Sequence, residues 1–348
     1  MIQCLQCDLC EIGPDGRRIF KCDPFSNIKE PECIAKWQLI RLDMLLAGYQ
    51  SMMRFQKEME PLQRKMMKFV EREMNDIDES DKWKIDDDDI DNIPPDDNLP
   101  AYGADGGPVG ILLIHGLSGA VVETRPMGEY LAARGLTVRC PLLAGHGTTP
   151  EDLTRIHRQA WIDDVESALH DLQRRCQTVF VGGLSMGALL ALWLGAQYPE
   201  IAGLILMAPA VKFQNRLAWL VLGMRYLLKY LPPGIVPEER FGDPEAVQRI
   251  WCYDVMPLWG TAEMLLILRE VRQALPQIRQ PVLIFQGQLD SYLSPRAAQI
   301  THDGVASTDK TLVYLENSGH NLLVDGEREA AWAQSYAWMM ERAAPRGG

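Results

Sequence analysis

The sequence predicts an α/β protein: a mostly parallel sheet with helices on both faces, a helical cap insertion, and an extra Cys-rich and helical segment in front. Three observations carry that expectation. From Val109 onward, short runs rich in β-branched residues alternate with stretches of helical length and period. The strand-like runs are apolar throughout rather than alternating, as strands buried between two helical layers are. One of them runs through Gly183-Leu184-Ser185-Met186-Gly187 straight into an apolar helical stretch.

The chain has 348 residues and a net charge of −12, which suits one large domain plus an additional segment. The acidic balance argues against nucleic-acid binding. The first residues, Met1-Ile2-Gln3-Cys4-Leu5-Gln6-Cys7-Asp8, lack the basic and apolar regions of a secretory leader. No apolar run is long enough to span a bilayer; the best candidate, 217–231, is broken by Arg225 and Lys229. A cytoplasmic protein is expected, with its cysteines reduced or metal-bound.

The elements follow in order. Residues 1–35 hold Cys4, Cys7, Cys10, Cys22 and Cys33. The set Cys7, Cys10, Cys22 and Cys33 has a spacing compatible with a four-thiolate structural zinc site, and Gly13-Pro14-Asp15-Gly16 supplies a turn between ligand pairs. The second pair is not Cys-x2-Cys, so reduced thiols, an iron–sulfur cluster and disulfides stay open beside zinc. Residues 36–74 read as a Met-rich amphipathic helix: Leu39, Leu42, Leu46, Tyr49, Met53, Gln56 and Met59 share one face, and Pro61 kinks or divides it. Such a face suits a protein partner or a second subunit. Residues 75–108 read as an acidic linker, with eleven carboxylates against Lys82 and Lys84 between 76 and 97.

The domain proper is expected over 109–348. Strands are predicted at 109–115, 136–142, 178–184, 201–207, 281–286 and 310–315, with helices at 126–134 and 161–174 between them. Residues 211–278 break the alternation and are rich in Leu, Met and Trp, too apolar for a linker. They read as a helical cap whose Trp219 and Leu220 line a substrate pocket. Cys140, Cys176 and Cys252 read as buried core residues.

The run around Ser185 has the form of a nucleophile elbow: strand, sharp Gly-x-Ser-x-Gly turn, helix. Asp290 follows the strand Val282-Leu283-Ile284-Phe285, and His320 follows Thr311-Leu312-Val313-Tyr314-Leu315. All three sit beyond C-terminal strand ends, the edge where open α/β sheets bind ligands. Their order, Ser–Asp–His, is that of the α/β-hydrolases. A serine hydroxyl is a weak nucleophile and needs a base; His320 is the base, and Asp290 fixes its tautomer and stabilises the imidazolium. The strand Ile111-Leu112-Leu113-Ile114 leads into His115-Gly116-Leu117-Ser118-Gly119, so the main-chain N–H groups of Leu117 and Met186 are the expected oxyanion-hole donors. His115 reads as structural within that loop. This chemistry needs no cofactor.

These motifs resemble bacterial carboxylesterases and monoacylglycerol lipases. The resemblance rests on residues 113–119, on Pro141-Leu142-Leu143-Ala144-Gly145-His146-Gly147-Thr148-Thr149-Pro150 with Trp161 and Asp164, on the elbow, and on Asn317-Ser318-Gly319-His320. It covers about residues 109–340 and implies an α/β-hydrolase fold, a small helical cap over an apolar pocket, and a serine esterase acting on short- to medium-chain carboxylic esters or monoacylglycerols. A peptidase or acyltransferase on the same residues is the alternative. A third reading, from another class, is an adaptor working through the N-terminal module, on which the resemblance is silent.

Overall fold

The computed structural model describes residues 10–12, 18–20, 101–231 and 236–343. The chain divides into two units, Met1–Ile90 and Asp91–Gly348. In the first, β1 (Cys10–Ile12) and β2 (Arg18–Phe20) pair antiparallel, with Cys10 opposite Phe20. This hairpin brackets the predicted Gly13–Gly16 turn. Cys4, Cys7, Cys22, Cys33, the helix expected at 36–74 and the acidic run to residue 97 lie outside the described residues.

The second unit is built on a seven-stranded sheet. Its strands are β3 (Tyr102–Ala104), β4 (Val109–Ile114), β5 (Thr137–Cys140), β6 (Thr178–Leu184), β7 (Gly203–Met207), β8 (Val282–Gly287) and β9 (Lys310–Leu315). The spatial order is β3-β5-β4-β6-β7-β8-β9, parallel throughout except for β3, which pairs antiparallel with β5. Every residue of β7 and β8 is buried, so both faces of the sheet centre are covered.

β3 falls within the stretch expected to be linker. Three residues, Tyr-Gly-Ala, carry no periodic signal. What holds the strand is tertiary: the Arg139 guanidinium reaches the Ala104 carbonyl at 3.3 Å and the Asp105 carboxylate at 2.7 Å, and the Gly106 N–H donates to Thr137 Oγ1.

Six longer helices accompany the sheet: α1 (Arg125–Ala132), α2 (Arg158–Arg175), α3 (Met186–Gln197), α4 (Leu258–Ala274), α5 (Ala297–Gly304) and α6 (Arg328–Ala343). α3 is buried almost all round, from Met186 to Gly195, and packs on β6, β7 and α4. That burial explains its unbroken apolar sequence. α4 corrects the expected extent of the cap. It buries Leu258, Leu268 and Val271, packs on α3, and turns Met264 and Leu265 toward the cavities described below. An apolar helix buried in the body reads, by composition, like an apolar cap. The part of 211–278 that precedes this helix is residues 211–257. Among its described residues it is largely irregular, with short helical turns at Arg216–Leu220, Val221–Met224 and Pro244–Arg249.

Register places the chemistry. Ile114 is opposite Gly183, Leu184 opposite Met207, Met207 opposite Phe285 and Gly287 opposite Leu315. The C-terminal ends of β4, β6, β7, β8 and β9 therefore line one edge. The segments that leave them begin with His115, Ser185, Ala208, Gln288 and Glu316.

Candidate active site

Ser185 links β6 to α3 with φ 55° and ψ −108°, a conformation costing about 1–3 kcal/mol for a residue with a side chain. The flanking glycines make the turn possible. A Cβ on Gly183 would collide with the main chain of Gly187, and one on Gly187 with the carbonyl of Ile114. The Ser185 N–H is held by the Met207 carbonyl at 2.9 Å. Met186, the first residue of α3, carries an N–H with no intrahelical acceptor, next to the Ser185 hydroxyl.

The loop after β4 lies against this elbow: a Cβ on Gly116 would touch that of Ser185 at 3.6 Å. His115 is fully buried and works within the loop. Its Nε2 accepts the Leu143 N–H at 3.1 Å, which leaves the proton on Nδ1 to donate to the Gly116 carbonyl at 2.8 Å. Burial holds this imidazole down to about 4, so it stays neutral. His146 stacks edge-on to His115, and Trp161 and Asp164 bind the Ala144 carbonyl and N–H at 2.9 and 2.7 Å. The 141–150 motif is thus a scaffold for the β4 loop.

At the other side, the His320 Nδ1–H donates to Asp290 Oδ2 at 2.9 Å. Asp290 is itself fixed by Gln286 Nε2 on Oδ2 and by the N–H groups of Tyr292 and Leu293 on Oδ1, all at 2.9 Å. Burial alone would raise the Asp290 carboxyl, but the His320 charge and these hydrogen bonds outweigh it and hold it below its ordinary value. Burial likewise pulls His320 down, yet the charge and hydrogen bond of Asp290, with Glu239 and Glu123 adding, carry it up to about 8. The Tyr292 ring stands edge-on to the imidazole at 5.1 Å.

Ser185 and His320 line one cavity of about 230 Å³, together with Leu117, Glu123, Glu239, Cys252 and Asn321. A second cavity of about 450 Å³ shares Leu117, Phe213, Val236, Met256, Met264 and Tyr292 with it and continues along Leu220, Val221, Met224, Leu231 and Leu265. The first is edged by carboxylates; the second is walled by aliphatic side chains. Of the two cap residues singled out in the sequence, Leu220 lines the larger cavity. Trp219 stacks under the Arg272 guanidinium instead, at 5.7 Å. Cys252 is not a core residue. It is exposed overall, its side chain edges the smaller cavity, and desolvation with the charges of Glu123, Glu239 and Asp254 pushes its thiol up to about 11.

Comparison with known proteins gives the family. A family model described as serine aminopeptidase, S33 (Hydrolase_4) matches residues 109–327. The chain belongs to this family. It is 35% identical over 226 residues to a thermostable monoacylglycerol lipase of Bacillus sp. (strain H-257), covering 65% of this chain and 88% of that protein. It is 26% identical over 236 residues to a carboxylesterase of Bacillus subtilis (strain 168), covering 67% and 93%. Among solved structures, one from work on LipS and LipT, two metagenome-derived lipolytic enzymes, superposes with a TM-score of 0.65 at 29% identity, covering 70% of this chain and 97% of that one. The fold is that of the α/β-hydrolases. The match does not reach the first hundred residues.

Three residues at the site had escaped the sequence reading. Glu123 is buried, and its Oε2 accepts the Gly116 N–H at 2.9 Å. Its signal was a carboxylate within the apolar run Ala120-Val121-Val122. Gln286 hides at the end of an apolar strand. Glu239 stands in Pro237-Glu238-Glu239-Arg240, which reads as ordinary surface. No metal-ligating cluster of His, Cys, Asp or Glu occurs among the described residues, and no described helix is long and apolar enough to cross a membrane.

Proposed function

We propose that this protein hydrolyses carboxylic esters, with monoacylglycerols and short- to medium-chain esters as its substrate class, through an acyl-enzyme on Ser185. The observation that carries the reading is the joined cavity. A hydrogen-bonded base pair, His320–Asp290, and a strained serine open onto a small compartment edged by carboxylates and a larger aliphatic one. An acyl chain fits the second, and a leaving alcohol the first.

The steps follow from the placement of atoms. Ser185 Oγ attacks the carbonyl carbon while its proton passes to His320 Nε2, the ring nitrogen not engaged by Asp290. Negative charge gathers on the carbonyl oxygen, which the N–H groups of Leu117 and Met186 receive; one such donor contributes about 3 kcal/mol in comparable sites. The tetrahedral adduct collapses, the C–O bond to the alcohol breaks, and the alcohol takes the proton from His320. Water then enters, His320 accepts its proton, and the same sequence releases the carboxylic acid and restores the serine. The Cys252 thiol, held protonated, is no rival nucleophile.

A second reading is a peptidase acting at free amino termini. Among the described residues, the smaller cavity is lined by Glu123, Glu239 and Asp254 and by no lysine or arginine, an arrangement able to receive an ammonium group. The aliphatic cavity favours the ester reading, because a lipid-like acyl group matches its walls.

The deciding experiment is a p-nitrophenyl ester chain-length series run beside aminoacyl p-nitroanilides, with intact-mass analysis after fluorophosphonate treatment. Ester turnover, a single adduct, and loss of both in Ser185→Ala are expected. Labelling of Ser185→Ala at the wild-type rate overturns the nucleophile; anilide turnover exceeding ester turnover overturns the substrate class.

A further inference from the structure

The cap segment 238–243 lies directly on the loop that carries His320. Glu239 spans both oxygens across one residue: Oε1 accepts the Asn321 N–H and Oε2 the Asn321 Nδ2–H, each at 2.9 Å. Ser291, next to Asp290, donates its hydroxyl to the Glu238 carbonyl at 2.7 Å. Asp325 is fully buried and accepts four main-chain N–H groups. Gly319 and Gly326 donate from the histidine loop at 2.6 and 2.8 Å; Gly242 and Asp243 donate from the cap at 3.1 and 2.8 Å. The two main chains touch: a Cβ on Gly319 would collide with the Arg240 carbonyl, and one on Gly242 with that of Asn317.

A merely structural contact would not need a carboxylate facing the cavity beside the base. Glu239 lines the same cavity as Ser185 and His320. We propose that Glu239 is a positioning residue of the hydrolysis: from the cap it fixes the His320–Asn321 turn and places a negative charge beside the imidazolium formed in the transition state. This rests on the reading of Ser185, His320 and Asp290 given above. Asp325 is the knot that holds the cap segment to the histidine loop, so the orientation of the base depends on the cap being in place.

Other groups face His320 as well. Asp290 touches it from the end of β8, the Tyr292 ring stands edge-on to it, Glu123 faces it from the turn before α1, and Cys252 and Asp254 edge the same cavity from the cap. Among the described residues, no lysine or arginine lines that cavity. Removing the Glu239 charge therefore withdraws support that nothing else at this position replaces, while Asp290 keeps its own bond.

Three full-length proteins test this: wild type, Glu239→Gln and Asn321→Ala. Each is assayed for kcat and KM on a neutral p-nitrophenyl ester across pH 5–10, and for the rate of fluorophosphonate labelling. Glu239→Gln is expected to lose about ten- to a hundredfold in kcat, as a slightly displaced base does, with KM within about twofold. Its acid-limb inflection is expected to fall by about half a pH unit, because an anion beside the imidazole is gone. Asn321→Ala keeps the charge and one of the two hydrogen bonds, so its kcat falls less and its inflection stays. Wild-type protein that forms no adduct on Ser185 overturns the reading of the site itself. Wild type that labels, with a Glu239→Gln variant matching it in labelling rate and inflection, overturns the role of Glu239. If Glu239→Gln does not fold, an Asn321→Ala variant with wild-type kcat overturns the positioning role on its own.

Discussion

Replacing Glu123 by Gln is expected to change how stability depends on pH, and the structure gives the size of the change. Glu123 is 4% exposed. Burial raises its carboxyl from the ordinary 4.5 to about 7; the Gly116 N–H opposes this, Glu239 adds to it, and His320 opposes it. Between those values the folded protein holds a proton that the unfolded chain has released. Stability must therefore fall as pH rises through that window, by about 1.4 kcal/mol per pH unit and about 3 kcal/mol in all. Glutamine keeps an acceptor for Gly116 and never ionises. The variant should match wild type at pH 4.5 and exceed it by up to about 3 kcal/mol at pH 8. His320 contributes in the same direction: its folded value lies above its unfolded one, so its stabilisation is complete below about 6.5 and lost as pH passes 8. Wild type is therefore compared with the variant at each pH rather than with itself. Urea unfolding at four pH values between 4.5 and 8 is sufficient. A constant difference across that range, or a wild type that gains on the variant with rising pH, refutes the buried-carboxylate argument.

The remaining predictions concern the base, the acyl cavity and the cysteines. The acid limb of kcat/KM should have its inflection near 8, where His320 loses its proton, and Asp290→Asn should lower that inflection while reducing kcat on the order of 10³–10⁴-fold; an Asp290→Asn limb still at 8 would falsify the pairing. Filling the 450 Å³ cavity with Val221→Trp should shift the preferred ester to shorter acyl chains, whereas Trp219→Ala, outside that cavity, should leave the profile in place; p-nitrophenyl esters of graded length report both. Cys7, Cys10, Cys22 and Cys33 are proposed to hold one structural zinc, so elemental analysis of chelator-free protein should give about one zinc per chain, and chelation should leave ester turnover largely intact. Less than half a zinc, with freely titrating thiols, rules that site out.

The parts legible in the sequence are those whose signal is local. β6 and β9 are legible residue for residue, β6 because a strand covered on both faces is apolar throughout, and β9, a half-buried edge strand, because its β-branched and aromatic run stops at Glu316-Asn317-Ser318-Gly319. The elbow was legible because the turn after Leu184 leaves no room for side chains at 183 and 187, so its glycines are fixed by sterics. Some of what escaped depends on partners distant in sequence, although Gln286 and Glu123 have partners only four and seven residues away. β3 is held by Arg139 and Thr137, more than thirty residues away. α4 is harder to assign because its apolar residues serve two surfaces, one facing α3 and one, with Met264 and Leu265, facing the cavities. Glu239 looked like surface because its partner, Asn321, comes 82 residues later. Charges near an active site are the least readable of these, since a carboxylate's role is set by what it faces.

That placement of charge has a consequence for where the chemistry runs best. Asp290, Glu239 and Glu123 together raise His320 from its ordinary 6.5 to about 8. For the free enzyme this is a handicap at neutrality: with a value of 8, only about a tenth of the molecules carry a neutral base at pH 7, equivalent to about 1.4 kcal/mol. The same carboxylates stabilise the imidazolium by about 2 kcal/mol once the proton has moved, but a transition state in which transfer is partial recovers only part of that. At pH 7 the two effects nearly cancel. Above pH 8 the handicap disappears and the gain remains. With His320 as the proposed base, the carboxylates around it favour catalysis in mildly alkaline conditions, and losing one of them should slow turnover more at pH 9 than at pH 7. A nearly constant ratio of variant to wild-type kcat/KM across that interval would mean that these groups act on geometry alone.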